Sequence, residues 1–476
     1  MNQSVSPPET ALFRPFAWLF QKPWQIALTV TLALSVVWGL SGMLPVNMAI
    51  VAGLSIFCIG LWATAALPEY WPALVFFLVG SVLQLAPAQV TFSGFYSSGF
   101  WLLFSGVILG AAIRYTGLGN RAGALLSRVT GRSYTGTLAG IVAFGLALAF
   151  IMPSSMGRIA LFVPLVVALA DSMGYAAGSN GRTGMVAAAA FGTWLPAFTI
   201  LPSNLPNMML AGMAETLYGV QLTYWEYLVM HFPVLGAGKA VLLVLLIRRL
   251  FPDRAPDVVP IQAMGPASRS ERRLMLLISL CLILWITDSL HQVSPGWIGL
   301  AAALVCLWPY AGLTARDCIH EAVKIAPLVF IAAMIGLGAV ISHVGLGAAV
   351  VETLSGYVSF SPDNVPGNLM ALTGISTLVA MLTNLPGVPA VMTPLAAEMA
   401  RLTGISLGAV LMTQVLAFSN VFLPYQAPPL VAAMQLGKLP LGRISLLCVL
   451  LFVITLLVLT PLSLLWWYVT GSIQGV

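Results

Sequence analysis

The stretches MPSS at residues 152–155 and LTNLPG at residues 382–387 interrupt two long apolar segments near their middle. Proline lacks a backbone N–H and fits poorly in a helix interior, and the neighbouring serine, threonine and asparagine compete for backbone hydrogen bonds. In lipid, a broken backbone is tolerated only where protein or a polar cavity satisfies the groups that it frees. We therefore predict that residues 137–170 and 366–397 each form a re-entrant helical hairpin rather than a simple crossing.

The composition around these breaks is that of a membrane protein. Of the 476 residues, 59% are hydrophobic and 7% are charged, whereas soluble proteins carry about 25% charged residues. So few charges cannot cover a water-facing globule, which excludes a soluble enzyme, a nucleic-acid-binding domain and a disordered chain. We expect the lipid bilayer to surround the protein, and we expect no nucleic-acid partner. The 5 cysteines show no CxxC spacing, which predicts neither a disulfide framework nor a metal site.

Apolar stretches long enough to cross a bilayer recur along the rest of the chain. We predict an all-α polytopic membrane protein with about 11 transmembrane helices, each of about 20 residues, besides the two hairpins. The predicted spans are residues 24–42, 46–66, 70–88, 97–117, 183–201, 226–247, 274–290, 297–311, 325–344, 407–423 and 444–469.

Basic residues predict the orientation of these spans, because cytoplasmic loops are enriched in lysine and arginine. Alternating the spans from a cytoplasmic N-terminus places all of the 20 basic residues inside except Arg158, Lys239 and Arg401. We therefore expect a multi-pass protein of the inner membrane, with its N-terminus in the cytoplasm and its C-terminus outside. The one sizeable polar linker, residues 248–273, divides the chain roughly in half.

The two halves are related by an internal repeat. GAAIRYTGLG at residues 110–119 aligns with GAVISHVGLG at residues 338–347, and the same offset of 228 residues carries Ser155 onto Thr383. The predicted topology gives equivalent spans opposite directions, so the repeats are inverted. Inverted repeats with paired broken segments are typical of secondary transporters, whose site lies near the midplane. Opposed half-helix N-termini can hold an anion there, and unwound carbonyls can hold a cation.

At this level of detail the sequence resembles a known family, the divalent anion/sodium symporters, over roughly residues 70–470. FWLLFSGVILG at 100–110 is similar to the family's span before the first hairpin, and SSMGRIALFVP at 154–164 to its first hairpin tip. SNLPN at 203–207 and QAPP at 426–429 resemble the unwound segments of the two spans that follow the hairpins.

The resemblance implies a homodimer that works by an elevator movement, in which a transport domain slides along a fixed scaffold. The implied parts are a cytoplasmic N-terminus at 1–23, scaffold spans 1–4 at 24–136, the first hairpin with spans 5–6 at 137–247, the cytoplasmic linker at 248–273, scaffold spans 7–9 at 274–350, and the second hairpin with spans 10–11 at 351–476. The hairpins and the spans that follow them would form the transport domain.

The resemblance also implies a substrate site between the two hairpin tips. The candidate substrate-binding residues are Ser154, Ser155, Arg158, Asn204, Asn207, Thr383, Asn384 and Gln426. Ser203, Thr383 and Asn384 are the candidate ligands of Na+ as a coupling ion, and no other cofactor is expected. Hydroxyl and amide groups can bind an anion or a cation, but they can equally cap the hairpin helices.

Arg158 departs from the family pattern. It follows within one turn of the first tip, where the family coordinates sodium, and a guanidinium is always charged and repels a nearby cation. Charged residues at membrane depth usually face a functional site, so Arg158 would either clamp a carboxylate or sulfonate of the substrate or stand in for the missing sodium. Snorkelling to the surface, or pairing with a structural acid, is the alternative. For Lys239, we favour pairing with a carbonyl or an acid over a role in transport.

We therefore expect a secondary active transporter that moves a small divalent organic anion, with a C4-dicarboxylate as the leading candidate. Sodium symport, proton coupling and anion exchange all stay open at this point. Sulfate or a sulfonate is the alternative substrate, and the membrane subunit of a binding-protein-dependent (TRAP-like) transporter is the alternative function. The sequence contains no HExxH, Walker loop, nucleophile elbow or CxxC motif, so an enzyme is not expected.

Overall fold

The computed structural model describes residues 22–119, 121, 133–254, 265–357 and 360–473. Within these ranges the chain is helical and contains no β-strand. Nine of the described helices are long and apolar enough to cross a membrane. The prediction of an all-α multi-pass membrane protein is therefore confirmed, while the number of crossings stays a prediction. Most of the expected cytoplasmic N-terminus, and residues 255–264 of the expected linker, lie outside the described residues.

Ten main helices lie in the described residues of the first half of the chain. They are α1 (Lys22–Leu40), α2 (Val46–Thr64), α3 (Tyr70–Val82), α4 (Ser98–Thr116), α5 (Tyr134–Ile151), α6 (Ser155–Ser172), α7 (Asn180–Gly192), α8 (Leu205–Tyr218), α9 (Tyr224–His231) and α10 (Ala237–Leu250). Helices α5 and α6 form the first hairpin, with the MPSS stretch at their junction. Helices α7 and α8 are the two halves of the first broken span.

Eleven main helices lie in the part of the second half that the structure describes. They are α11 (Arg269–Ile286), α12 (Pro295–Leu307), α13 (Ile325–His343), α14 (Leu346–Ser355), α15 (Val365–Leu382), α16 (Gly387–Met392), α17 (Ala396–Thr403), α18 (Leu407–Phe418), α19 (Pro428–Gly437), α20 (Leu441–Ile454) and α21 (Thr460–Val469). Helix α15 forms the second hairpin with α16 and α17. Helices α18 and α19 are the two halves of the second broken span.

The order of helices repeats between the two halves. A 19-residue helix (α4, α13) precedes each hairpin, and an 18-residue helix (α5, α15) begins it. A broken span and a final long span follow in both halves. Each final span contains one π-helical turn, at Phe232–Gly236 and at Thr455–Leu459, a feature that often marks functional sites. The internal repeat inferred from short sequence matches thus extends from the helix before each hairpin to the final span.

The packing of the helices brings the two broken spans together. Helix α4 lies along α12, and α13 lies against α3 and α8. Helix α8, the second half of the first broken span, packs against α16 of the second hairpin. In the same way, α19 of the second broken span packs against α6 of the first hairpin. Each broken span therefore contacts the hairpin of the opposite repeat.

Prolines explain why the two spans break. Two 3-10 turns, Pro196–Thr199 and Leu201–Ser203, separate α7 from α8, and each contains a proline. Pro206 occupies the first turn of α8. In the second repeat, a 3-10 turn at Pro424–Gln426 is followed by Pro428 at the start of α19. Since proline has no N–H to donate to the preceding turn, several prolines close together disfavour a continuous α-helix through either segment.

Both breaks differ in extent from our prediction. The first begins at Thr193 rather than at Ser203, and the second begins at Ser419 rather than at Gln426. The residues in between are largely apolar, so they look like uninterrupted spans in the sequence. Asn207, which we assigned to the first break, lies in α8. The scaffold and transport domain boundaries stay a prediction.

Candidate functional site

Arg158 links the first hairpin tip to the first broken span. It lies in the first turn of α6 and is 0% exposed. Its Nε donates to the carbonyl of Thr193 at 3.1 Å, and its Nη1 donates to the carbonyl of Ser203 at 3.1 Å and to that of Met152 at the tip. Its Nη2 has no hydrogen-bond partner. The side chain does not snorkel to the surface, and the partners of its guanidinium are backbone carbonyls rather than an acid.

Ser203 and Gln426 make equivalent contacts in the two repeats. Each is the last residue of a 3-10 turn in a broken span. Ser203 Oγ donates to the carbonyl of Ala149 at 2.6 Å, and Gln426 Nε2 donates to the carbonyl of Ala380 at 2.8 Å. Ala149 lies two residues before the end of α5, and Ala380 lies two residues before the end of α15, the first helices of the two hairpins. These bonds fasten each broken span to its own hairpin.

Lys239 is a second buried cation beside a broken span. It lies in α10 and is 1% exposed. Its Nζ donates to the carbonyl of Ser419 at 2.5 Å and to the Oγ of the same residue at 3.0 Å. Ser419 directly follows α18, just as Thr193 directly follows α7. The negative end of a helix dipole stabilises a cation at this place, so both breaks have a positive charge at the same structural point.

The residues of the two hairpin tips are half-buried, and two of them cap helices. Ser154 Oγ and Asn384 Oδ1 each accept a hydrogen bond from the N–H three residues further on, at 3.1 Å and 3.0 Å. The hydroxyl of Thr383 donates to a carbonyl of the preceding turn at 2.7 Å. Ser155 begins α6. Asn384 Nδ2 also donates to the carbonyl of Trp62 in α2 at 3.2 Å, which connects the second tip to a predicted scaffold helix.

Buried polar atoms without hydrogen-bond partners occur in both broken spans. Asn204 is 2% exposed, and neither its Oδ1 nor its Nδ2 has a partner. Asn207 donates to two carbonyls of the break, at 3.1 Å and 2.9 Å, but its Oδ1 has no partner. Thr193 Oγ1 and Gln414 Nε2 are also unpaired. Since buried polar groups are normally hydrogen-bonded, these atoms are available to a ligand or to water.

The first tip does not fit a sodium ion. Such a hard cation is bound by oxygen ligands, and the carbonyl oxygens of Met152, Thr193 and Ser203 already accept from Arg158. At the second tip, Asn384 Oδ1 caps a helix. The described ranges contain no group of three or more His, Cys, Asp or Glu side chains that could hold a metal.

A groove of about 1390 Å³ lies away from both breaks. Its walls include Val365 and Leu369 at the base of the second hairpin, and Leu464 and Tyr468 of α21. Leu369 lies in the 18-residue helix that ends next to the tip, about 21 Å of helix before Thr383. The polar groups described above therefore mark a better candidate site than this groove.

The predicted site residues divide between the two repeats. Arg158 donates to the carbonyl of Ser203, next to Asn204, at the first break, whereas Gln426 bonds to Ala380 and Asn384 to Trp62 in α2. Lys239 pairs with a carbonyl, as we predicted, and the structure identifies that carbonyl as the one of Ser419. The depth of Lys239 in an apolar span, nine residues before Arg248, was the available signal, but its partner in the other repeat was not visible in the sequence.

Comparisons with known proteins agree with the architecture. A family model of the sodium:sulfate symporter transmembrane region matches residues 21–473. Among solved structures, the Alcanivorax borkumensis YdaH transporter aligns with a TM-score of 0.56 and 14% identity, over 91% of this chain and 100% of that one. At this identity the match shows a shared fold alone.

Curated relatives match parts of the chain. A Cupriavidus necator membrane protein is 24% identical over 62% of this chain and 63% of its own length. The putative malate transporter YflS of Bacillus subtilis is 25% identical over 45% of this chain and 48% of its own. The L-tartrate/succinate antiporter of Escherichia coli K12 is 28% identical over 41% and 42%. The chain thus aligns with less than two thirds of each of these relatives.

The family match covers nearly the whole chain and includes both hairpins and both broken spans. The chain therefore belongs to the sodium:sulfate symporter family, the divalent anion/sodium symporters that its hairpin sequences resemble, and it is a multi-pass membrane transporter rather than an enzyme.

Proposed function

We propose that the protein is a secondary active transporter of C4-dicarboxylates that works by elevator-type alternating access. The observation that carries this proposal is Asn204, a buried amide with no partner at the N-terminal end of α8. A half-helix N-terminus presents free N–H groups and positive dipole charge to an anion. Asn204 adds an uncommitted amide donor at the same place, as a carboxylate site requires.

Other half-helices in both repeats supply similar groups. Helices α6, α16 and α19 are likewise half-helices that begin at a tip or a break. Because α8 packs against α16 and α19 against α6, their N-terminal ends can face a common ligand with two charged ends. Two relatives carry the names of malate and tartrate/succinate transporters, and all three compounds are four-carbon dianions. A dicarboxylate that spans the two repeats is therefore the substrate that fits best.

The elevator movement is proposed for residues 137–247 and 351–476, with 24–136 and 274–350 as the scaffold. The link between Asn384 and Trp62 in α2 is a contact that such a movement would break. We also propose a homodimer in the inner membrane with a cytoplasmic N-terminus and an external C-terminus. Light scattering of the purified protein tests the dimer, and reporter fusions at each terminus test the orientation.

Counterflow into proteoliposomes tests the substrate. Purified protein is reconstituted alone, the vesicles are loaded with unlabelled succinate, and uptake of labelled succinate is measured against malate, tartrate, citrate and sulfate as competitors. We expect exchange that C4-dicarboxylates inhibit best. Exchange of sulfate without exchange of dicarboxylates would contradict the assignment. Absence of any exchange until a binding protein is added would favour the TRAP-like alternative.

A matched pair of asparagine variants tests the site. Asn204→Ala removes the unpaired amide and should raise the KM for succinate by about tenfold, the effect of losing one good polar contact to a charged ligand. Asn47→Ala removes an exposed amide in α2 and should leave KM unchanged. Equal KM values for both variants would remove Asn204 from the substrate site.

A further inference from the structure

Two fixed positive charges lie at equivalent points of the two repeats. Arg158 donates to the carbonyl of Thr193, and Lys239 donates to the carbonyl of Ser419. Both acceptors directly follow the first half of a broken span. The internal repeat does not explain this, because Arg158 belongs to the first hairpin and Lys239 to the final span, which are not equivalent elements. Two unrelated sequence positions thus supply a cation to the same structural feature.

We propose that Arg158 and Lys239 are tethered substitutes for coupling cations, so that the protein is a sodium-independent, obligate exchanger of divalent anions. This inference rests on the proposed function, since it assigns the coupling of that same site. It differs from what the family's name suggests, which is symport with sodium.

The oxygen atoms that a coupling cation would need already accept hydrogen bonds from a buried cationic side chain. At the first break, three carbonyls accept from the Arg158 guanidinium. At the second break, both oxygen atoms of Ser419 accept from Lys239 Nζ. A sodium ion would have to displace these donors and then remain beside a buried positive charge, which repels it strongly in a medium of low dielectric. Neither place is open to sodium while the side chains stay there.

The charges of the proposed transport domain favour a dianion. Among the described residues, the buried charged side chains are Arg158, Lys239, Glu271 and Asp288. Glu271 is in α11 and pairs with Arg121, and Asp288 lies in a short helix after α11 and accepts from a backbone N–H of α9. Neither acid is hydrogen-bonded to the two cations, and both lie outside the proposed transport domain, Glu271 in the predicted linker and Asp288 in the predicted scaffold. Two buried positive charges are thus left for the substrate to neutralise.

Tethered charges change the transport cycle. In a symporter, the sodium ions leave with the substrate, so the empty carrier returns without their charge. Arg158 and Lys239 cannot leave, and moving two uncompensated charges through a hydrocarbon environment is costly. The transport domain therefore returns only when another dianion neutralises it. This predicts fast exchange of one dianion for another and slow net uptake.

Transport by the wild-type protein gives the first test. Succinate counterflow is measured with Na+ inside and outside, and again with N-methylglucamine in its place at equal ionic strength. We expect the two rates to agree within about twofold, and uptake into vesicles without internal anion to be slower by about tenfold or more. A larger stimulation by Na+, or net uptake as fast as counterflow, would overturn the proposal.

Thermal melting of the detergent-purified protein gives a second test that does not depend on transport. Wild-type protein should melt at the same temperature in Na+ and in N-methylglucamine. Lys239→Ala frees the oxygen atoms of Ser419 and should gain stabilisation that is specific to Na+, because a ligand that binds only the folded state raises its melting temperature. Lys239→Arg keeps the charge and should stay insensitive to Na+.

Arg401→Ala is the matched control, because it removes an exposed cation paired with Glu398 at the surface. It should leave the response to Na+ unchanged. Stabilisation of the wild type by Na+, or a folded Lys239→Ala that does not respond to it, would overturn the proposal. If Lys239→Ala does not fold, Arg158→Ala repeats the test at the other break. The melting temperature of the wild type in Na+ and in N-methylglucamine also tests the proposal without any variant. If the proposed function is wrong, the protein exchanges no dicarboxylate with or without Na+. The melting temperatures still show whether Na+ binds, so this failure can be distinguished from failure of the inference.

Discussion

The two broken spans share one plan but are fastened to their hairpins differently. In the first, the charged guanidinium of Arg158 donates to the carbonyls of Thr193 and Ser203 in the break, and the Ser203 hydroxyl adds a single bond to the hairpin. In the second, the neutral amide of Gln426 donates to a carbonyl of α15 at 2.8 Å and accepts from the N–H groups of Phe422 at 2.8 Å and Leu423 at 3.0 Å. The first fastening uses a charge on the hairpin itself, whereas the second uses one uncharged side chain of the break.

This difference suggests unequal roles for the two halves of a symmetric architecture. Hydrogen bonds from an ionised donor are stronger than neutral ones, so the first hairpin should remain attached to its break throughout the cycle. The cation of the second break, Lys239, donates to that break and makes no hydrogen bond to the second hairpin. We therefore expect the second tip to separate from its break more easily than the first.

Removal of the side chain that bonds each break to its hairpin, Ser203 or Gln426, should have the largest effect on stability. The effect should be larger in the second repeat. Gln426→Ala removes three hydrogen bonds and leaves two N–H groups without partners, which should cost about 3 kcal/mol of stability, whereas Ser203→Ala should cost about 1 kcal/mol. The Ser203 carbonyl would still accept from Arg158. Melting temperatures of both variants, measured without substrate, check the comparison. Equal losses of stability from Ser203→Ala and Gln426→Ala would show that the hydrogen bonds of Arg158 do not help to hold the first break to its hairpin.

The sequence predicted the common plan of the two halves, but not what distinguishes them. Proline and small polar residues inside apolar segments were sufficient to place both hairpin tips, because these residues disfavour a continuous helix in lipid. The start of each break at Thr193 and Ser419 was missed. The residues that follow Thr193 are apolar, so their departure from a helix depends on prolines further along and on packing against the opposite hairpin.

The next comparison concerns two glycines in the first helices of the hairpins. A Cβ on Gly145 would lie 2.9 Å from the backbone nitrogen of Thr193 and 3.1 Å from the ring of Phe162, whereas a Cβ on Gly374 would meet no atom within 4 Å. Gly145→Ala should therefore push the first break away from its hairpin and destabilise the protein by about 1–3 kcal/mol. Gly374→Ala should be neutral or stabilising by up to about 1 kcal/mol.

Melting temperatures and succinate counterflow of the two glycine variants are the measurements. Because the Thr193 carbonyl accepts from Arg158, Gly145→Ala should also slow exchange. A Gly145→Ala protein as stable and as active as Gly374→Ala would show that the first break does not need close contact with its hairpin.

The role of Lys239 shows a second limit of prediction from sequence. Its depth in an apolar span indicated that it must have a partner, because an isolated charge there is costly. The partner, Ser419, is 180 residues away, in a break whose start the sequence did not reveal. Arg158 was easier to interpret, since one of its acceptors, Met152, lies in the same hairpin tip.

The smallest effect is expected at the second tip, where Asn384 combines two contacts. Its Oδ1 caps a helix at 3.0 Å, and its Nδ2 donates to the carbonyl of Trp62 at 3.2 Å. Asn384→Ser keeps a capping oxygen but removes the donor to α2, so stability should change by less than about 1 kcal/mol.

If the elevator movement breaks the bond to Trp62 in each cycle, its loss lowers the barrier by about 0.5–1 kcal/mol, which corresponds to exchange about two- to fivefold faster at saturating succinate. Asn384→Ala loses the cap as well and should be both faster and less stable, which separates the two contacts. A folded Asn384→Ser protein with an unchanged or slower rate would mean that the second tip keeps its contact with α2 throughout the cycle, so that the proposed transport domain does not move past this helix.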